Sequence, residues 1–176
     1  MRVGVGNIGA SEALHRAGVR RTVAASRVSA AGGARLEAAI RAIAPTDRYL
    51  LVVGKDKDQS RYQALAKTLN CGERVRFFGM QSETLPFYQM ADGLLLPTLY
   101  DPFPNVILEA MACGLPVITT TGCGGSEFII QGSNGFVCDA LDISALQQAV
   151  DRKSAVSGKR VDLGGRRTCK KKMTLI

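Results

Sequence analysis

The sequence predicts an α/β protein built on a doubly wound parallel sheet, and three observations carry that prediction. From about residue 34 to residue 150, short apolar runs alternate with stretches of helical period. The runs are apolar throughout instead of alternating, as strands covered on both faces are. Gly or Pro stands at most of the junctions between them.

Taken in order, Arg35 to Ile43 has Leu36, Ile40 and Ile43 at helical spacing and is stopped by Pro45. Arg48 to Val53 reads as a buried strand ended by Gly54, and Lys55-Asp56-Lys57-Asp58-Gln59 as a polar loop. Ser60 has the chemistry to cap a helix running to Asn70, which Cys71-Gly72 stops. Val75 to Phe78 is a short strand, followed by Gly79-Met80-Gln81. A helix opens at Ser82-Glu83 and runs through Met90, with Pro86 shifting its start; Gly93 to Leu96 is another strand, ended by Pro97. Beyond them lie a helix from Asn105 to Cys113, a strand from Pro116 to Thr119 and the Gly-rich loop Gly122-Cys123-Gly124-Gly125. A short helix Ser126 to Ile130, a strand Gly135 to Cys138 and a helix Asp142 to Val150 complete the pattern.

The flanks differ from this centre. Residues 1–33 are rich in Ala, Gly, Arg, Val and Ser without a period, and read as an unpatterned, non-native segment. Residues 151–176 read as a basic tail, disordered or non-native, on which no structure is forced. The domain is therefore expected at 34–150. Charge follows the same division. Residues 1–44 hold seven basic and two acidic residues, a net +5; residues 45–150 hold seven and eleven, a net −4. Residues 151–176 hold nine and two, a net +7. A nucleic-acid binder carries its basic patch on the fold; here the charge belongs to the flanks, which speaks against nucleic acid as a partner.

A hydrophobic fraction of 46% with mean hydropathy near zero describes a globular chain without an apolar run of membrane-spanning length. The first residues lack the pattern of a secretory signal, and the expected location is cytoplasmic. The cysteines, at 71, 113, 123, 138 and 169, form no C-x-x-C pair, which argues for reduced thiols over disulfides or zinc. Gly4-Val5-Gly6-Asn7-Ile8-Gly9 fits G-x-G-x-x-G, but it has no room for a preceding strand and no acidic residue about twenty positions on. His15 lies in the same unpatterned region and gives no sign of catalysis.

The functional centre is the stretch Asp101 to Thr121. A loop with Pro102 and Pro104 runs straight into the helix from Asn105, whose bare N–H groups and positive dipole end make an anion site. Asp101 and Glu109 bracket that site with seven residues between them. Doubly wound sheets bind ligands at the carboxyl ends of their strands. The loops there are Gly54-Lys55, Gly79-Met80-Gln81, Pro97 to Asn105 and Thr120 to Gly125, which converge on one crevice.

L-L-V-V-G-K-D-K-D at 50–58, R-V-R-F-F-G-M at 74–80, A-D-G-L-L-L-P at 91–97, D-P-F-P-N-V-I-L-E-A-M-A-C-G-L-P-V-I-T-T at 101–120 and G-C-G-G-S-E-F-I at 122–129 together resemble the retaining GT-B glycosyltransferases of family 4. The likeness is strongest to the bacterial lipopolysaccharide core glucosyltransferase branch, and covers the Rossmann-like, nucleotide-sugar-binding half of such an enzyme. It implies transfer of a hexosyl unit from a nucleoside diphosphate sugar, UDP first among the nucleotides, with retained anomeric configuration. It implies neither cofactor nor metal, since the helix dipole and basic side chains offset diphosphate charge. Asp56-Lys57-Asp58 has metal-motif spacing, but its loop reads as solvated charge. By resemblance Glu109 accepts hydrogen bonds from the ribose hydroxyls, a task for an acceptor-only group. Asp101, where the family more often has Glu, faces the transferred sugar and is the catalytic candidate. Backbone groups at Pro104, Asn105, Val106 and Ile107 hold the diphosphate or sugar, although Pro104 has no N–H. Gly79, Met80 and Gln81 lie beside the nucleobase, and Gly54 and Lys55 complete the donor-binding set.

The resemblance also implies an amino-terminal domain that takes a glycolipid or sugar acceptor, and a Gly-rich phosphate-clamping loop before residue 48. Neither is recognisable in this sequence, so the chain reads as a fragment without activity of its own. Peripheral contact with the inner membrane is expected through that acceptor. Two other readings stay open. One is a different GT-B enzyme, a sugar-nucleotide epimerase or a phosphorylase. The other is a non-enzymatic module whose basic flanks grip an anionic partner.

Overall fold

The computed structural model describes residues 22–25, 33–54, 57–102 and 104–152. Six strands form a single sheet in the order β3-β2-β1-β4-β5-β6, and every neighbouring pair is parallel. The strands are β1 (Thr22–Ala25), β2 (Tyr49–Val53), β3 (Val75–Gly79), β4 (Leu94–Leu96), β5 (Val117–Thr120) and β6 (Gly135–Cys138). The helices are α1 (Gly33–Ile43), α2 (Gln59–Thr68), α3 (Leu85–Met90), α4 (Asn105–Ala112) and α5 (Ile143–Arg152). The doubly wound sheet read from the sequence is the sheet found.

The strand order corrects one expectation. Regular structure was expected to begin near residue 34, yet β1 stands in the middle of the sheet, with Thr22↔Tyr49 through Ala25↔Val52 in register on one side and Ala24↔Leu94 on the other. Thr-Val-Ala-Ala gives a weak strand signal, because only Thr22 and Val23 of its four residues favour strands and Ala is depleted in them. Pairing on both sides supplies what propensity does not. Residues 1–21, 26–32 and 153–176 lie outside the described residues, and with them His15 and the G-x-G-x-x-G stretch.

The buried side chains explain the helices. α1 buries Leu36, Ala39, Ile40 and Ile43 along one stripe. Its last carbonyl, Ile43 O, accepts from Thr46 Oγ1 at 2.8 Å and from the Arg74 guanidinium at 3.3 Å, and Arg74 also donates to Ala44 O just beyond the helix at 2.9 Å. A cation at a helix C-terminus also meets the negative end of the dipole. α5 is tied to α1 by Gln147 Nε2 donating to Arg41 O at 3.1 Å. α2 begins at Gln59 with Asp58 as its N-cap residue and no capping side chain, so Ser60 sits inside the helix and does not cap it. α2 ends where Asn70 takes φ 55° and the Cys71 and Asn70 amides reach back to Ala66 and Lys67 carbonyls. α4 ends in the same way at Gly114, φ 74°.

Other boundaries move slightly. Pro86 lies in the first turn of α3, so that helix starts at Leu85 and not at Ser82. The segment after β5 is a 3-10 turn, Gly124–Phe128, in place of the helix expected at 126–130. Among the described residues no helix is long and apolar enough to cross a membrane.

Candidate functional site

The chain departs from β1 in both directions across the sheet, β2 and β3 to one side and β4 to β6 to the other. The point of reversal, where β1 abuts β4, is where such sheets open a crevice at their carboxyl ends. The loop leaving β4 there is Pro97 to Pro104, and it delivers α4.

Two loops are zipped together at this edge. Thr119 Oγ1 donates to Leu96 O at 2.9 Å, Thr98 N donates to Thr120 Oγ1 at 3.1 Å, and Thr120 Oγ1 in turn donates to Thr98 O. Beyond the strands, Asp101 N donates to Gly122 O at 3.1 Å and Gly124 N to Asp101 O at 2.8 Å, forming a parallel bridge between Asp101 and Cys123. The glycines of the 122–125 loop are there for this approach. A Cβ on Gly122 would lie 2.0 Å from Leu99 O, one on Gly124 1.7 Å from Pro102 O, and one on Gly125 2.7 Å from Ile107 Cδ1. The Gly-rich loop read as a crevice wall is thus the brace behind Asp101 and the start of α4.

The N-terminus of α4 is left open. Its N-cap residue is Pro104, at φ −77° and ψ 113°, and no side chain caps it. Pro104 has no N–H, and the Ile107 amide donates to Pro104 O at 3.1 Å. Ile107 is fully buried. Of the four positions taken from the sequence, the amides of Asn105 and Val106 are the ones left to meet an anion. Glu109 lies one turn further on the same face as Asn105, exposed, about 6 Å along the axis. Helical side chains lean towards the N-terminus, which directs the Glu109 side chain towards that first turn. Tyr88 of α3 donates its hydroxyl to Glu109 Oε2 at 2.9 Å. Sequence reading missed Tyr88, because Phe87-Tyr88 looks like two core positions of a short helix. The only signal was a phenol whose hydroxyl, once buried, needs a partner.

On the other side of β1, Gly54 at φ 138° donates its N–H to Gly79 O at 2.8 Å, and Gly79 itself has φ 66°. Nothing lies within 4 Å of a Cβ placed on Gly79, so conformation and not space requires glycine there. Met80 is 74% exposed beside it. The Gln81 side chain folds back, Nε2 donating to Phe78 O at 2.7 Å. Phe78 meets Phe87 edge to face at 5.1 Å, which ties this corner to α3 and through Tyr88 to Glu109. Lys55, Asp56 and Phe103 lie outside the described residues.

Burial first, and then the Glu109 carboxylate, push the Cys113 thiol above its ordinary value. A raised value favours the protonated thiol, which suits a packing residue better than a nucleophile. Among the described residues no three His, Cys, Asp or Glu side chains gather in metal-binding proximity. A separate groove is lined by Gln63, Lys67, Arg76 and Phe78 of α2 and β3.

Against this geometry, the family model for glycosyl transferases group 1 matches residues 31–165. The chain belongs to that family. It is 33% identical over 118 residues to the lipopolysaccharide core biosynthesis glycosyltransferase LpsE of Rhizobium meliloti (strain 1021), a match spanning 67% of this chain and 35% of that protein. It is 38% identical over 88 residues to the lipopolysaccharide glucosyltransferase WaaG of Escherichia coli (strain K12), covering 50% of this chain and 23% of WaaG. A crystal structure of WaaG superimposes with a TM-score of 0.72 at 25% identity, over 90% of this chain and 44% of that one. The fold of this chain is therefore that of a GT-B domain, as its sequence led one to expect, and the chain spans about a third of the length of LpsE.

Proposed function

We propose that this chain is the donor-binding half of a retaining hexosyltransferase, taking a nucleoside diphosphate sugar at the carboxyl edge of its sheet. The observation that carries the reading is the uncapped N-terminus of α4 with an exposed carboxylate one turn above it. The Asn105 and Val106 amides and the helix dipole face the diphosphate, and Glu109 accepts from the ribose hydroxyls. The base lies against the Gly79-Met80-Gln81 corner, which α3 places next to Glu109. Asp101, clamped by Gly122 and Gly124, faces the hydroxyls of the sugar.

In the reaction the bond from the anomeric carbon to the β-phosphate oxygen breaks while the acceptor hydroxyl oxygen bonds to that carbon on the same face, its proton passing to the departing diphosphate oxygen. The negative charge gathering on the leaving diphosphate meets fixed N–H dipoles that need no reorganisation. The retained configuration, and a donor bound without metal or cofactor, rest on the motif's family resemblance. The names of LpsE and WaaG support a lipopolysaccharide core or other glycolipid acceptor, with glucose the first sugar to test. The acceptor is held by a partner domain, and the chain alone does not turn over. Peripheral contact with the inner membrane from the cytoplasmic side accompanies such an acceptor.

Calorimetric titration of the full chain with UDP, GDP and ADP tests this. One nucleotide binds, UDP being expected, and Glu109→Ala weakens it at least about tenfold by removing charge-assisted hydrogen bonds. Equal affinity in the Glu109→Ala chain would remove the ribose role.

A further inference from the structure

We propose that Tyr88 is a positioning residue for Glu109, holding one carboxylate oxygen so that the other is presented to the ligand. The inference rests on the reading of Glu109 as the ribose acceptor and adds to it the group that aims it. Tyr88 is 6% exposed, so its ring belongs to the core, and its hydroxyl donates to Glu109 Oε2, 2.9 Å away. Glu109 has the opposite situation, an exposed side chain on the solvent face of a helix. An unanchored glutamate there samples many rotamers, and ordering it on binding costs side-chain entropy. A hydroxyl fixed in the core removes much of that cost before the ligand arrives. Tyr88 uses one acceptor site of a carboxylate that has about four, so Oε1 and a second lone pair on Oε2 remain for a vicinal diol.

The anchor is itself rigid. Phe87, the preceding residue, is 7% exposed and packs edge to face on Phe78 with centroids 5.1 Å apart. The first turn of α3 is closed by the Phe87 and Tyr88 amides, which donate to Thr84 O at 3.0 and 3.2 Å. Tyr88 thus couples the corner beside the base to the carboxylate that meets the ribose. A shift of one moves the other.

The test is a double-mutant cycle on the full chain, with Tyr88→Phe, Glu109→Ala and the pair. It is read with whichever of UDP, GDP and ADP binds, and with the 2′,3′-dideoxy form of that nucleotide. Tyr88→Phe keeps the ring and loses only the hydroxyl. The expected result is a loss of about three- to tenfold for the ribonucleotide, almost none for the dideoxy form, and no further loss when Glu109 is already Ala. Equal losses for both nucleotides, or the same loss in the Glu109→Ala background, would show a structural role and overturn the inference. So would an unchanged affinity in Tyr88→Phe while Glu109→Ala still abolishes discrimination between the two nucleotides; that outcome leaves the ribose reading standing. Should Glu109→Ala also leave discrimination intact, or no nucleotide bind, the ribose reading falls and this inference with it.

Discussion

A chain that begins at residue 34 will not form this sheet. β1 is paired on both sides, four residues of it with β2 and Ala24 with Leu94 of β4, so its removal splits the sheet at its centre. Leu50, Leu51, Leu94 and Leu95, all at most 1% exposed, stand on the strands that would be uncovered. Each buried backbone group left without its partner costs about 1–3 kcal/mol. Four or five of them match the whole stability of an ordinary domain, about 5–15 kcal/mol. Thermal unfolding followed by circular dichroism is expected to show one cooperative transition in the full chain and none after deletion of residues 1–33. A cooperative transition in the shortened chain would mean that β1 is dispensable.

The second large effect is expected from Gly124→Ala. A methyl group there would sit 1.7 Å from Pro102 O and 2.7 Å from Pro102 C, both backbone atoms that cannot rotate away. The loop has to open, which breaks the Gly124 N to Asp101 O bond of 2.8 Å and releases the bridge to Cys123. A clash of this kind costs about 3 kcal/mol or more, a fall of roughly 6–12 °C in the melting midpoint for a chain of this size. Nucleotide binding falls with it, because the displaced residues carry Asp101 and lead into α4. A midpoint within about 2 °C of the parent would show that the two loops are not braced through Gly124.

How much of this was legible in the sequence depended on whether the signal was local. α4 could be placed nearly to the residue, because Pro104 at its start and Gly114 past its end are punctuation that local sterics enforce. β2, β4 and β5 were legible as apolar runs because both faces of each are covered. β1 was not, since what makes Thr22–Ala25 a strand is its two neighbours and not its own side chains. The glycines at 122, 124 and 125 were visible, but their reason was not: it lies in Leu99, Pro102 and Ile107, some twenty residues earlier in the chain. Tyr88 belongs to the same class. Its partner Glu109 is 21 residues away, and only the packing of α3 makes the hydroxyl part of the site. The place of Glu109 on α4, seven residues intervening after Asp101, could be read directly from the motif.

Whether the donor sits at the start of α4 can be read from a map of backbone amide shifts in the ¹⁵N-labelled full chain as UDP is added. The largest shifts are expected at Asn105 and Val106, with smaller ones at Glu109 and across Gly79 to Gln81. Shifts confined to the groove of Lys67 and Arg76, with the α4 amides unmoved, would contradict it.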